Sequence, residues 1–399
     1  MFKLKLICII GVIIFFASCS SQDPSKKKYS EIAIDNSQIK ENENISGMID
    51  SISITPLFEE DGNHIGSIFK ILFLKSKYIV YDRISTNKIL LFDDKGLFIK
   101  TIVKAGDGAQ DPLNITDCWL NEENELEVYD FAQMKIFHYD SLFNLKSIVK
   151  SNLFNHFVSL RVIPSTKQYV GYANYSDFNK PFNNRLYNIA FLDTNLTIIN
   201  TDKNFDKTFQ GITWPMYSRH FYNFKDTLRF VKSYDNFVYN ILNTKITERF
   251  KIIYKENSLP DDVMSMVKAH LGIFKDRNIH PNIKANYFKN YVRFNGLWLE
   301  CDKYIFISSR DTSGKFGTPF YSLIDKINNK ELFSSRNMSE TIKYKLILPP
   351  FEYYNEMSNE FISIVNGFQL KDLILQESQF QQKIVSNLNI FYLLKVKLK

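Results

Sequence analysis

The chain has 399 residues, 45% of them hydrophobic, with 35 Phe and 22 Tyr; that is enough apolar material for a large packed core and excludes a disordered chain. Its formal charge of +7 falls to +5 without Lys3 and Lys5, and no basic stripe with interleaved aromatics accompanies it, which excludes nucleic acid as a partner. Of four cysteines, Cys8 and Cys19 sit near the N-terminus, so only Cys118 and Cys301 remain in the body as expected buried free thiols, and a disulfide scaffold is excluded.

Residues 1–18 read as a lipoprotein signal peptide. Lys3 and Lys5 form a small positive region, and Leu6 to Phe16 is an apolar run too short to span a bilayer. The run stops at Phe16-Ala17-Ser18-Cys19, small residues followed by a Cys that would be acylated. Lipid on Cys19 would anchor the mature protein to a membrane without spanning it. Residues 19–45 open on a polar stretch with a Lys26–Lys28 run, and are expected as a flexible tether.

From residue 46 onward a phrase repeats. Ile-Val-Tyr-Asp ends at Asp82 and Glu-Val-Tyr-Asp at Asp130, 48 residues apart. Ile-Leu-Leu-Phe-Asp ends at Asp93, and Ile-Phe-His-Tyr-Asp at Asp140, 47 residues on. The same turn position returns at Asp193 and Asn243, and then at Asp325 after a longer interval of 82 residues. A sixth unit is read at Phe361-Ile-Ser-Ile-Val-Asn366-Gly367, with Asn-Gly as a hairpin turn. A period near 48 residues is that of one propeller blade. The long interval holds a helical insertion at about 258–290, starting from Ser258-Leu-Pro260-Asp-Asp262, with a second weak stretch over 282–288. The strand-like Ser51-Ile-Ser-Ile-Thr-Pro-Leu57 has no local partner. It is expected to complete the last blade beside Leu393-Leu-Lys-Val-Lys-Leu398, which removes an open sheet edge. The expectation is an all-β, six-bladed β-propeller of four-stranded antiparallel blades over residues 46–399, with a monomeric body.

The segments His64–Ile71, Tyr78–Asp82, Ile89–Asp93, Lys95-Gly96 and Phe98–Ile102 together resemble the six-bladed β-propeller lipoproteins of the phylum Bacteroidetes, which are loosely related to NHL-type propellers. The family's Gly-x-Gly-Pro element is matched by Gly106-Asp107-Gly108-Ala109, with Pro112 three residues late. The resemblance implies fold and an outer-membrane lipoprotein location, periplasmic or surface-exposed, and says little about activity. It also implies three short Asp-Ser/Thr-apolar sites for O-glycosylation, at Ser51, Ser141 and Thr227.

No signature for a cofactor, a metal or catalysis stands out. The six His show no ligand spacing, and Gly106-Asp107-Gly108 is followed by no helix that would hold a phosphate. Carboxylates that recur between repeats are expected to serve turns, whereas a catalytic group should be unique to one blade. Candidate binding residues are the polar-aromatic cluster Trp214, Tyr217, Arg219 and His220, and the insertion residues Tyr287, Lys289, Tyr291 and Arg293. The expected function is a lipid-anchored envelope binding or scaffolding module for a glycan, peptide or protein partner. The alternative is a propeller hydrolase, lactonase-like enzyme or lyase with a metal held in the central channel by dispersed ligands.

Overall fold

A computed structural model describes residues 29–59, 64–151, 156–212, 219–280, 283–284, 286–313, 317–375 and 388–399. Six sheets radiate about one axis. Blade 1 runs Lys70–Leu74, Lys77–Asp82, Lys88–Asp93 and Phe98–Lys104; blade 2 runs Ile115–Leu120, Leu126–Asp130, Lys135–Tyr139 and Leu145–Lys150. Blade 3 has Ser159–Val162, Tyr169–Tyr172, Leu186–Leu192 and Ile198–Phe205, and blade 4 has Phe221–Phe224, Thr227–Val231, Phe237–Leu242 and Lys245–Tyr254. Blade 5 is Arg293–Glu300, Tyr304–Arg310, Pro319–Asp325 and Lys330–Glu340. Blade 6 takes Tyr353–Asn355, Glu360–Asn366 and Phe391–Leu398 from the C-terminal end of the chain and Ile49–Leu57 from the N-terminal end. That last pairing, with Leu394 opposite Ile54 and Phe391 opposite Leu57, closes the ring as expected.

Inner strands lie between two neighbouring blades, so both of their faces are buried and they read as continuous apolar runs. In blade 1, Ile79, Tyr81, Ile89 and Leu91 pack on blade 2, while Tyr78, Val80, Leu90 and Phe92 pack on blade 6. Each remaining interface has its own apolar cluster, so the core is a ring of six wedges with no single centre. Full burial of each such side chain contributes about 1.5–3 kcal/mol.

The repeated acids serve the backbone. Asp82 accepts from the amides of Gly66 (2.8 Å) and Ser85 (3.0 Å), and Asp130 from those of Leu113 (2.6 Å) and Gln133 (3.0 Å). Asp93, Asp140 and Asp193 each accept from two amides of the following turn, and the third residue after each has positive φ: Gly96, Phe143 and Leu196. Asp325 caps its turn through the amides of Ile327 (2.9 Å) and Asn328 (3.1 Å).

Three features differ from expectation. Residues 30–44 are part of the sheets: Ser30–Ile34 pairs in parallel with the outer strand of blade 4, and Lys40–Asn44 with that of blade 5. The first is held by Ile32 and Ile34, both buried in the wedge between blades 4 and 5. The second is polar and bonded mainly through its backbone, which is why its composition resembles a tether. Asn366-Gly367 is not a hairpin turn. Asn366 caps a helix, Gly367–Leu373, through a reciprocal bond pair with Gln369. It thus stands at the end of the second strand, where blade 1 has Asp82, and the third strand follows a long connection. The 258–290 insertion is helical, but the helices are Val263–Lys268 and Leu271–Lys275, and the cap is Asp262 rather than Ser258.

Candidate functional site

Antiparallel alternation places two sets of connections on one face of the ring: those between blades, and those from second to third strand. In blades 1 and 2 the second-to-third connections are tight turns. In blades 3 to 6 this face carries nearly all the long segments, including 173–185, 206–220, 255–292, 341–352 and 367–390. The insertion packs there over blades 3 and 4 through Tyr175, Ile212, Tyr234, Val263, Val267, Phe274 and Phe288. Beside it, between blades 5 and 6, lies a cleft of about 760 Å³. Its walls mix Asn295, Tyr321, Arg336, Glu352, Gln369 and Asp372 with apolar surface from Leu297, Met338 and Pro349. Arg336 is fixed by Asp311 (2.6 Å) and Glu41 (2.9 Å), the latter on the N-terminal strand. Glu352 accepts from the Ile364 amide at 3.4 Å and makes no ion pair among the described residues; burial raises its carboxyl, with Arg219 nearby pulling the other way.

A second cavity, about 360 Å³, follows the axis and is lined from all six blades. Asn121, Asn124, Glu356 and Met357 line it at first-to-second-strand turns, so it opens on the opposite, short-turn face. Tyr222 lines both cavities. Ionic groups surround the axis. Asp117 is buried between Lys70 (2.6 Å) and Arg161 (2.6 Å) and also accepts from Ser159 (2.9 Å). Burial alone would raise its carboxyl, but Arg161 and Lys70 hold it well below the usual carboxylate range. Burial, with Arg161 close by, pulls the Lys70 ammonium down to about 8. Glu300 is gripped by Arg229 at 2.8 and 3.0 Å, by Lys326 at 2.6 Å and by the Trp298 indole at 3.1 Å. Burial works against its ionisation, yet the two cations keep its carboxyl lowered.

The predicted residues do not form one cluster. Trp214, Tyr217 and Cys19 lie outside the described residues. Arg219 lines the axial cavity, donating to the Glu352 carbonyl at 2.6 Å with its guanidinium 3.3 Å from the Tyr353 ring centre. His220 is buried, its Nδ1 3.0 Å from the Val231 carbonyl and its ring 4.6 Å from Tyr172. Burial lowers it to about 4. Tyr287 and Tyr291 pack against the insertion's own core, and Lys289 bonds back to the Asn286 carbonyl through its amide. Arg293 is buried and donates to the carbonyls of Phe288 (3.1 Å) and Tyr291 (3.3 Å), tying down the insertion's end. Sequence reasoning passed over Lys70, Asp117, Arg161, Arg229 and Glu300. The signal was a lone charge inside an apolar strand, as in Leu160-Arg161-Val162 and Leu228-Arg229-Phe230. Cys118 and Cys301 are buried free thiols in different blades.

The fold has solved relatives. A Bacteroides fragilis protein named as exported superposes with a TM-score of 0.72 at 14% identity, covering 93% of this chain and 100% of that one. A DUF4221 family member from Bacteroides vulgatus reaches 0.48 at 8% identity over 88% of this chain and 97% of its own, and a streptogramin B lyase 0.40 at 10% identity over 87% and 98%. The first likeness shows the fold alone, and the other two are too distant to support any argument. No curated protein matches the chain. The family described as Domain of unknown function (DUF4934) matches residues 30–396, nearly all of the six blades and the two N-terminal edge strands, and the chain belongs to that family.

Proposed function

We propose that this protein is a lipid-anchored cell-envelope β-propeller acting as a binding module, with a glycan, peptide or protein partner held on its long-connection face. One observation above all supports the reading: the 760 Å³ cleft between blades 5 and 6, where hydrogen-bonding and apolar groups share a wall built by long connections. The location rests on the residues around Cys19 and on the likeness to an exported Bacteroides protein. The axial carboxylates Asp117 and Glu300 are each occupied by two cations, which weighs against their serving as metal ligands.

The soluble body from Tyr29 should be screened on glycan and peptide arrays, and binders measured by biolayer interferometry. Tyr321→Ala and Gln369→Ala are expected to weaken a true binder at least tenfold. Binding that both variants leave unchanged would remove the cleft from the account. The enzyme reading has one observation in its favour, the raised Glu352 carboxyl in the same cleft, which makes no ion pair among the described residues. Turnover of a bound compound, abolished in Glu352→Gln with binding retained, would select it.

A further inference from the structure

The axial cavity has an uneven charge count. Asp117 is shared by Lys70 and Arg161, leaving that group one positive charge in excess. Glu300 is shared by Arg229 and Lys326, with the same excess. Among the described residues Arg219 makes no ion pair, and meets the Glu352 carbonyl and the ring of Tyr353. Three separate excesses therefore surround one narrow cavity, and Lys70, Arg161 and Arg219 all line it. Against them stand Glu356 at the mouth, which accepts from the Lys225 amide at 2.9 Å, and Glu352 behind Arg219. Trp119 lines the same wall beneath Arg161, whose guanidinium lies 5.4 Å from its ring. The indole itself is packed into the core between blades 2 and 3, against Tyr169. Neighbouring cations around one cavity repel one another. A bound anion would relieve that repulsion.

We infer that the axial cavity is a binding site for an oxyanion, a phosphate, sulfate or carboxylate group borne by a small molecule, with Lys70, Arg161 and Arg219 as its donors. The site is distinct from the cleft: it opens on the opposite face, and neither reading depends on the other. The guanidinium groups suit a planar carboxylate or a tetrahedral oxyanion through paired N–H donors. A volume of about 360 Å³ admits a molecule of a few linked rings at most.

The test uses the soluble body from Tyr29 and three probes: inorganic phosphate, sulfate and glucuronate. Each is titrated by calorimetry and by thermal shift against chloride at constant ionic strength. At least one probe should bind saturably and raise Tm. Phosphate or sulfate alone would indicate a tetrahedral ligand, glucuronate alone a carboxylate. Arg219→Gln leaves the Asp117 group paired and should weaken binding at least fivefold; Arg161→Gln should weaken it more. A surface control, Lys100→Gln, should change nothing. Circular dichroism and Tm without ligand verify that each variant is folded, and Arg219→Gln suffices if Arg161→Gln is not. No saturable binding by any probe, or binding equal in wild type and Arg219→Gln, would overturn the assignment.

Discussion

Two buried titratable residues show what single side chains contribute. His220 is held neutral, its proton affinity lowered from 6.5 to about 4 by burial. The unfolded chain takes up that proton below about pH 6.5 and the folded one does not. The stability from this group is therefore complete above pH 6.5 and is lost as the pH falls toward 4, about 3 kcal/mol in all. The unfolding free energy from urea denaturation should fall by about 2 kcal/mol more between pH 7 and pH 5 in wild type than in His220→Gln. Asp117 acts by charge. Asp117→Asn leaves Lys70 and Arg161 buried side by side without a counter-ion and should cost about 3–5 kcal/mol. Replacing Lys70 by Met keeps one matched pair and should cost clearly less, a contrast that equilibrium denaturation can read. None of this was legible in the sequence. A lone Arg within Leu160-Arg161-Val162 does not reveal that an Asp one blade away faces it, because the pairing crosses 44 residues and exists only once the blades are assembled. Recurring acids were easier: Asp82, Asp93, Asp130 and Asp140 repeat with the backbone they bond, so their role travels with the local sequence.

Elements follow local rules until two of them meet. The turn after the third strand of blades 1 to 3 is set by an Asp and a residue of positive φ, and Phe143 and Leu196 show that a side chain is tolerated there. Gly96 is different. A Cβ at that position would lie 1.7 Å from the Pro56 carbonyl oxygen, because the closing strand of blade 6 runs directly over the turn and Phe58 donates to the Gly96 carbonyl at 2.8 Å. Gly96→Asn satisfies the φ preference and should still be strongly destabilising, by at least about 2 kcal/mol in urea denaturation. Asn366-Gly367 shows the reverse problem. The pair suits a hairpin and a helix start equally well, and Gly367 is decided by packing, since a Cβ there would meet the Leu388 backbone at 2.6 Å. Strand periodicity gave the blades, but residues 391–398 and 361–366 could be placed in order only by knowing that 367–390 is a connection.

At the scale of the whole molecule, the ring is held by six equivalent wedges and one seam, and the seam is reinforced from outside. Residues 30–57 cover the outer edges of blades 4 and 5 and then become the outer strand of blade 6. A body starting at Ile45 keeps the seam but loses the burial of Ile32 and Ile34, so it should be less stable than the body from Tyr29 by about 3–6 kcal/mol, measured by urea denaturation. The closing strand was legible because alternation in Ser51–Leu57 had no local partner. The edge strand Lys40–Asn44 was not, because nothing in Lys-Glu-Asn-Glu-Asn marks it as anything but solvated. The seam also imposes an order in time. Ile49–Leu57 pairs with Phe391–Leu398 across more than 330 residues, so the first blade-forming strand to leave the ribosome finds its partner only when the last one has been made. Loop closure over that span is entropically costly and slow. Until then blade 6 has only the pair Tyr353–Asn355 and Glu360–Asn366, and the chain spends its synthesis as an unclosed arc.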